Sequence, residues 1–356
     1  HEVVDVGGDA RQVTAEKAAA GRFGRPRFDF GGIERRSAGG ESLREDLIHH
    51  RTGRPGRYVV HGHVGDGQHK PVDPFDGAGD GSRFYLRWRP ERGFTGHWDY
   101  STDEVMLINL LAIGSPSHPV SNQVFYAWQR ETGTYGSHTF IQSWNGSMFQ
   151  YFFANCWYDL HGKRDAQGMD WWQNSVKAGL ANRDFCIAGT DGLGRQNVPT
   201  YHANSWGLSA MEAIPDGRDT LYSGENGARP NGLYDAQSAL SQQINGAVPV
   251  YGGLSMIGFA AQPDGLPDSL ITGLMQHYYR NTQLWTGWYG FRDGYTDSSD
   301  TKPGAISKFP IYKSAYFAID QGPMLIMLEN YRTGLVWNTF MANATVQQAI
   351  EQVFGN

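Results

Sequence analysis

The stretch DQGPMLIMLENYRTGLVWNTFM, residues 320–341, decides the fold class. Its apolar residues recur at i, i+3, i+4, i+7 and i+11, the spacing of one helical face that packs on a core. These residues are Met324, Met327, Leu328, Tyr331 and Leu335. The spacing predicts a helix from Gln321 that buries this face, in a protein built mainly of helices.

A second row of the same predicted helix carries charges. Glu329 and Arg332 stand in it between apolar turns. Burying an ion costs several kcal/mol unless the ion is paired and hydrogen-bonded. Because the two residues are three positions apart, they can pair with each other. We expect a half-buried structural ion pair; the alternative is that one of them lies at the rim of a polar cleft.

Composition and charge exclude several classes of partner. The net charge is −6, and no basic cluster interleaved with aromatic residues is present, so we expect no nucleic-acid partner. No apolar run approaches the ~18 residues of a membrane span, so we expect no membrane partner. Aromatic residues make up 13% of the chain, with 11 Trp and 18 Tyr, which is typical of clefts that stack on sugar rings. Cys156 and Cys186 lie in apolar surroundings, where free buried thiols are common.

The composition changes sharply near residue 82. The first 82 residues hold ten Arg, sixteen Gly and six His but two Leu, whereas all 11 Trp and all 9 Met follow residue 87. We therefore divide the chain into an atypical Gly/Arg/His-rich segment, 1–87, and a helical catalytic domain, 88–356. The first is interpreted as loop-rich or disordered, with an aberrant reading of the gene as the alternative. A metal site at His61 and His63 is disfavoured because no carboxylate or Cys framework surrounds them.

A series of helices is predicted from about residue 94 onward, each bounded by turn signals. Their segments are 101–116, 118–133, 147–162, 170–189, 249–263, 267–283, the helix from Gln321, and 345–355. In the first, Ser101 and Glu104 form a capping box. Long Gly/Asn/Asp-rich loops lie between Gly189 and Pro249 and between Trp285 and Phe309, where function usually lies. Short strands at most are expected, which makes this an all-α domain.

The chemistry available to the chain is that of carboxylates among aromatic side chains. No nucleotide, metal or nucleophile signature is present. A glycosidase needs one carboxyl group that donates a proton to the leaving oxygen and a second that activates water or attacks. Candidates in aromatic surroundings are Asp159, Asp165, Asp170, Glu212, Glu225 and Asp293. Taken singly, each carboxylate is more often a cap or a surface charge than a catalyst.

Six segments carry a family resemblance. They are DEVMLINLLAIGSPSHPV, SWNGSMFQYFFANCWYDLHG, GMDWWQNSVKAGLANRDFCI, NSWGLSA, WYGFRDGYTD and IDQGPMLIMLENYRTGLVW. Together, over roughly residues 98 to 341, the chain resembles the glycoamylase-like domain family of bacterial glycan-processing enzymes. That family includes proteins similar to endo-β-1,2-glucanases and to the cyclising domain of cyclic β-1,2-glucan synthases. The resemblance implies an (α/α)6 toroid with long loops over a central cleft, a glycoside hydrolase, and no metal or organic cofactor.

The resemblance also implies site residues. The WGLTA loop of relatives, usually followed by an acidic residue, matches WGLSAMEAIP and puts Glu212 at the acidic position. Asp159 matches the Asp of W(I/Y)D(F/L)RG, with His161 in place of the usual Arg. We take Asp159 and Glu212 as the acid/base pair and Asp165 as a third catalytic candidate. Gln150 stands where cyclising relatives carry Glu, which disfavours cyclisation.

Substrate binding is assigned to further residues of the same motifs. These are Trp157, Trp171, Asn204, Trp206, Trp288, Asp293 and Arg332. The expected partner is an oligo- or polysaccharide. We expect a bacterial periplasmic or secreted protein, with the cytoplasm as the alternative.

The predicted function is hydrolysis of a β-linked glucan, with β-1,2 as the favoured linkage. A non-catalytic carbohydrate-binding scaffold and a transglycosylase are the alternatives. A toroid of six hairpins needs twelve helices, and eight to ten are visible in the sequence. Either the ring is incomplete at its N-terminal side or the front segment closes it.

Overall fold

The computed structural model describes residues 83–100, 103–143, 146–188, 199–211, 247–297, 311–312 and 314–355. All of them belong to one compact unit. Most of the predicted segment 1–87 lies outside the described residues, as do Glu212, Glu225 and most of the two long loops. The predicted boundary after residue 87 falls inside a strand, Tyr85–Arg89.

The first part of the unit alternates hairpins and helices. Strands β1 (Tyr85–Arg89) and β2 (Gly93–His97) pair antiparallel and precede helix α1 (Asp103–Ile113). A short 3₁₀ helix, Asn122–Tyr126, leads to a second antiparallel hairpin, β3 (Thr132–Tyr135) and β4 (His138–Ile141). Helices α2 (Phe149–Trp157) and α3 (Trp171–Ala188) follow.

The second part is built around a three-stranded sheet and a bundle of helices. Strands β5 (Val248–Pro249), β6 (Gly294–Thr296) and β7 (Ile311–Tyr312) lie in the order β5-β6-β7. Helix α4 (Val250–Leu254) continues into a 3₁₀ helix, Ser255–Ala260, and α5 (Asp268–Arg280) follows. The described chain ends in α6 (Ala318–Thr333), α7 (Leu335–Met341) and α8 (Ala344–Phe354).

Helix α2 lies between two hydrophobic cores. Phe152 and Cys156 belong to the larger core, which also takes residues from α3, α4, α5 and α6. Ala154 and Tyr158 belong to the smaller core, formed with α1, the first 3₁₀ helix and α8. Because residues four positions apart share a helical face, opposite faces of α2 serve opposite cores. Contacts with both cores therefore hold this helix in place.

The predicted helical character is confirmed for the described residues, with short strands as expected. The segment 118–133 is an exception: it holds only the 3₁₀ turn and then strand β3. The Arg130 guanidinium donates to the carbonyl of Phe125 at 3.1 Å, so this carbonyl binds a side chain where a longer helix would use a backbone N–H. The twelve-helix toroid stays a prediction.

Helix α6 buries a different face from the one predicted. Met324 and Met327 are buried, as expected, but Tyr331 and Leu335 are 38% and 58% exposed. Asn330 occupies the buried face instead, donating to the carbonyl of Cys156 at 2.9 Å and accepting from the Trp337 amide at 3.0 Å. The helix ends because Gly334 has φ 68°, a left-handed conformation that favours glycine.

The charges of α6 form a surface pair. Arg332 Nη1 lies 3.4 Å from Glu329 Oε2, so the predicted pairing is confirmed. The Arg332 side chain is 64% exposed and that of Glu329 is 32% exposed, so only the glutamate of the pair is partly buried. No helix among the described residues has both the length and the apolar character needed to cross a membrane.

Candidate active site

An irregular buried segment, Ser205–Met211, forms the centre of the candidate site; we call it the Trp206 segment. It lies outside helices and strands, and Ser205, Trp206, Leu208 and Ser209 are completely buried. Backbone groups in such a place must find partners other than water. The chain supplies them from four surrounding elements, and it is their geometry that holds the segment in one conformation.

The middle of the Trp206 segment is held from both sides. Asn182 of α3 accepts from the amides of Gly207 and Leu208 at 3.0 and 3.1 Å. The Leu208 carbonyl accepts from the Met148 amide at 2.9 Å, immediately before α2. Since both Asn182 and Met148 are themselves buried, these bonds are shielded from competing water and fix the segment against two helices.

The end of the segment is held by hydroxyl groups. Ser209 Oγ lies 2.6 Å from Ser147 Oγ and 2.8 Å from Tyr251 Oη. Tyr251 Oη also donates to the carbonyl of Ala210 at 2.8 Å. Residues 147–151, 205–211 and 250–253, which are distant in sequence, therefore meet at the N-terminal end of α2.

Glycine residues allow two stretches of backbone to come into direct contact in the site. Gly207 has φ 102°, and a Cβ built on it would lie 2.0 Å from the backbone nitrogen of Gly253. A Cβ on Gly252 would in turn lie 1.9 Å from the Gly207 carbonyl oxygen. Only glycine fits at these contacts, because any side chain would collide with backbone.

The meeting point falls within two of the segments that carry the family resemblance, SWNGSMFQYFFANCWYDLHG and NSWGLSA. The family model described as Glycoamylase, "Putative glucoamylase", matches residues 97–344. The chain belongs to the glycoamylase family.

Relatives of this glycoamylase-family chain are distant in sequence. It is 24% identical over 302 residues to an exo β-1,2-glucooligosaccharide sophorohydrolase (non-reducing end) of Parabacteroides distasonis, a match that covers 77% of this chain and 36% of that protein. The chain thus spans about a third of the length of this curated relative.

Solved structures share the fold of the glycoamylase-family chain. A "putative glucoamylase" of Bacteroides caccae has a TM-score of 0.61 at 22% identity, over 79% of this chain and 61% of that one. One from Bacteroides fragilis scores 0.59 at 24% identity, over 78% and 59% of the two chains. A β-1,2-glucanase of Parabacteroides distasonis scores 0.59 at 23% identity, over 78% and 38%.

Asp159 lies at the far end of α2 from the Trp206 segment. It follows Trp157, the last residue of α2, whereas Leu208 bonds to Met148 at the other end. Nine helical residues span about 12 Å between the first and last Cα. Two carboxyl groups that act across one glycosidic bond lie roughly 5–9.5 Å apart. Asp159 and the contact between Met148 and Leu208 therefore lie at opposite ends of α2. Glu212 is outside the described residues, so the predicted pairing of Asp159 with Glu212 stays a prediction.

A polar cluster surrounds Asp159 in this glycoamylase-family chain. Asp159 Oδ1 accepts from the His161 amide at 3.2 Å. The His161 ring, which replaces the family's Arg, lies 2.8 Å from Asp264 Oδ1, and Gln173 Nε2 donates to Asp264 Oδ2 at 3.0 Å. The hydrogen bond from His161 lowers the pKa of Asp264. Asp159 thus belongs to a pair of cross-linked surface loops.

Asp165 is a structural residue in this structure. Its side chain has no exposed surface. Oδ1 accepts from the amides of Gln167 and Met169 at 2.9 and 3.0 Å, and Oδ2 accepts from Arg130 at 2.7 Å and Trp171 Nε1 at 3.0 Å. With four donors on two oxygens, the carboxylate cannot contact a sugar. Its assignment as catalytic is corrected to a role in holding the loop before α3.

Of the tryptophans predicted as platforms, two are buried and a third is half-buried. Trp171 and Trp206 are 3% and 0% exposed, because both pack inside a core, so that prediction is wrong for them. Trp157 is half-buried against Phe340, with ring centroids 5.9 Å apart. It lines an apolar groove of about 650 Å³ with Leu111 and Val346, at the end of α2 opposite the Trp206 segment.

Trp288 is placed as a stacking residue would be. It is 94% exposed, and the neighbouring Tyr289 is 73% exposed. The turn that carries them is braced, because Thr286 Oγ1 donates to the Gly290 carbonyl at 3.1 Å and lies 2.6 Å from Tyr316 Oη. Tyr289 packs on Tyr316 with ring centroids 5.5 Å apart. Sequence reasoning missed Tyr289, although it adjoins Trp288 in the same motif.

The remaining predicted residues fall into three places. Asp293 is buried beside Gly294, where a built Cβ would lie 2.5 Å from Met211 Cε; it therefore adjoins the Trp206 segment. Asn204 is exposed just before that segment. Arg332 lies on the surface at the end of α6, paired with Glu329, rather than at a cleft.

Burial raises the pKa of Glu104, which is half-buried in the first turn of α1; its capping partner, Ser101, lies outside the described residues. Among the described residues, no group of three or more His, Cys, Asp or Glu side chains could hold a metal ion.

We expect Gly207→Ala to lower the free energy of unfolding by roughly 3 kcal/mol or more, because the new Cβ meets backbone that cannot yield. Urea denaturation followed by tryptophan fluorescence measures this change. The matched control is Gly162→Ala, where φ is 71° but nothing lies within 4 Å. Backbone strain alone should cost the control about 1 kcal/mol. Equal losses in the two variants would contradict the close approach.

We expect Asp165→Asn to destabilise the protein by about 3 kcal/mol, because it leaves the Arg130 guanidinium without its buried anion. Glu329→Gln, which breaks the exposed pair with Arg332, should cost less than about 1 kcal/mol. Both values come from urea unfolding. An Asp165→Asn protein of unchanged stability that had lost hydrolytic activity would instead return Asp165 to the chemistry.

Proposed function

We propose that this protein is a glycoside hydrolase that cleaves a β-linked glucan, with β-1,2 as the linkage. The observation that carries the proposal is the Trp206 segment, a family motif held rigidly by Asn182, Met148, Ser147 and Tyr251 and leading directly to Glu212. A site of this kind positions an acid before substrate arrives, as pre-organised catalysis requires. The names of the relatives support the linkage.

Glu212 is the proposed general acid, which protonates the leaving oxygen. Asp293 is the proposed second carboxylate, since its neighbour Gly294 packs on Met211, one residue before Glu212. Asp159, which lies beyond the opposite end of α2, is the alternative second carboxylate. Water activated by Asp293 would attack the anomeric carbon while the acid releases the leaving sugar.

Trp288 and Tyr289 are the proposed sugar-stacking surface. A rigid turn that exposes two aromatic rings to water is unfavourable unless a ligand covers them, and flat rings match the apolar faces of pyranose sugars. The described helices would form part of an (α/α)6 toroid, in which the central cleft receives the glucan chain. Gln150, half-buried in the first turn of α2, cannot act as an acid, which favours hydrolysis over cyclisation.

We expect Glu212→Gln to reduce release of reducing ends from β-1,2-glucan at least about 100-fold, because the leaving oxygen loses its proton donor. Asp293→Asn should lose a comparable factor, and Asp159→Asn should keep most of the rate. Parallel assays on β-1,3- and α-1,4-glucans test the linkage.

Three other outcomes of this assay carry distinct meanings. Loss of turnover in Asp159→Asn but not in Asp293→Asn would restore Asp159 as the partner of Glu212. Glucan binding by calorimetric titration without any hydrolysis would identify a carbohydrate-binding scaffold. New oligomers longer than the substrate would identify a transglycosylase.

We expect Trp288→Ala to raise KM for β-1,2-glucan about tenfold with little change in kcat, since stacking energy of roughly 1.4 kcal/mol is lost away from the reacting bond. Trp288→Phe should recover most of the affinity, and Leu325→Ala serves as a control for an exposed apolar residue elsewhere. A fall in kcat at constant KM would place Trp288 at the reacting sugar instead.

A further inference from the structure

A hydrogen-bonded chain of three side chains runs from the surface to the first residue of the Trp206 segment. His277 Nε2 of α5 lies 2.9 Å from Tyr295 Oη of β6. Tyr295 Oη lies 2.7 Å from Ser205 Oγ. Tyr295 and Ser205 are completely buried, and His277 is half-buried. The three residues come from a helix, a strand and a loop, so only the tertiary fold joins them.

From this geometry we infer that His277 is a positioning residue for the proposed hydrolysis: through Tyr295 it fixes Ser205 and with it the start of the segment that leads to Glu212. This inference rests on the proposed function only for its catalytic consequence. The physical claim concerns the conformation of residues 205–211 and can be tested without substrate.

The hydrogen-bonded side chains of His277, Tyr295 and Ser205 hold the Trp206 segment at the point where it enters the core. Downstream of Ser205, Asn182, Met148 and Tyr251 hold the backbone. Upstream, the backbone of Ser205 pairs with that of His202 at 2.9 and 3.2 Å, a bridge across two intervening residues. The Tyr295 hydroxyl supplies the side-chain bond that ties this turn to the three-stranded sheet.

The arrangement requires neutral histidines. The Asn204 amide donates to His202 Nδ1 at 3.2 Å, so that nitrogen cannot carry a proton. The His202 and His277 rings stand edge to face with centroids 4.7 Å apart, so two positive charges there would repel. In the neutral tautomer of His277 that carries its proton on Nδ1, Nε2 accepts from Tyr295 Oη, and Tyr295 Oη can then accept from Ser205 Oγ.

The surrounding groups favour the neutral form. Burial lowers the pKa of His277, the charge of His202 lowers it further, and Asp297 opposes both effects. Burial likewise lowers the pKa of His202 against the effect of Asp297. The other ionisable neighbours are phenols: Tyr278, which also bonds Ser205, and Tyr312, which stacks on Tyr295. Burial raises the pKa of Tyr278 and Tyr295, so both stay neutral.

Low pH therefore destabilises this row of hydrogen bonds. A histidine whose folded pKa is depressed contributes stability above its unfolded pKa of about 6.5, and that stability is lost as the pH falls below this value. Protonated His277 can only donate to Tyr295 Oη, so the Tyr295 proton must turn away from His277 and the bond between them changes direction. Protonated His202 must release the Asn204 amide.

The test is amide hydrogen exchange of residues 205–211 in the intact protein, expressed as protection factors. At about pH 7.5, loss of the chain in Tyr295→Phe or His277→Leu should lower protection about tenfold, the equivalent of one buried hydrogen bond. His277→Gln, which keeps an acceptor, should retain most of the wild-type protection. His118→Gln, an exposed histidine beside Ser117, should change nothing.

The pH dependence of this protection distinguishes a positioning role of His277 from a role in packing alone. Between about pH 7.5 and pH 5 the wild type should lose protection at 205–211, while His277→Gln should lose much less, since it removes one of the two titrating rings. Equal losses in the two proteins, or unchanged protection in Tyr295→Phe, would overturn the inference. Should Tyr295→Phe fail to fold, Ser205→Ala removes the same bond from the other side.

The catalytic arm distinguishes this inference from the proposed function. On β-1,2-glucan, His277→Leu should lower kcat with little effect on KM, and His277→Gln should restore it. If the wild type hydrolyses no glucan, the proposed function fails while the exchange result still decides the role of His277. If the wild type is active and His277→Leu keeps full kcat and full protection, the inference fails alone.

Discussion

The structure depends on one constraint: an irregular stretch of backbone, residues 205–211, is buried where water cannot hydrogen-bond to it. Each polar group left unpaired there would cost on the order of 1–3 kcal/mol. The surrounding elements meet this demand with an asparagine from α3, a backbone amide before α2 and a tyrosine from α4. The segment is consequently held by hydrogen bonds along its length, although it lies outside helices and strands.

This constraint explains several otherwise unrelated residues. Gly207, Gly252 and Gly253 allow backbone to meet backbone, and Ser147 and Ser209 supply hydroxyls small enough to bond across the contact. Tyr295 and His277 extend the same network to the surface. Polar groups inside a core are costly unless they are hydrogen-bonded. Here the network holds residues 205–211, although Asn182 Nδ2 and Trp206 Nε1 have no hydrogen-bond partner among the described residues.

Helix α2 separates two regions with different roles. Its N-terminal end meets the Trp206 segment, Tyr251 and the sheet that carries Asp293. Its C-terminal end is held by Asn330 and Trp337, which bond the carbonyls of Cys156 and Asn155. Asp159 and Asp165 lie beyond this second end, where Asp165 and Arg130 form the buried pair that fixes the loop. The chemistry proposed here belongs to the first end.

The sequence by itself determined the helices, because apolar periodicity and caps act within a few residues. It predicted α1, α2, α3, α5 and α8, the pairing of Glu329 with Arg332, and, through its motifs, the family. Only the tertiary structure decided which face α6 buries, since the buried Asn330 side chain donates a hydrogen bond to a carbonyl of α2. It also decided that Trp171, Trp206 and Asp165 are buried and that the Trp206 segment meets α2 at the end opposite Asp159, because those outcomes depend on contacts between residues far apart in the chain.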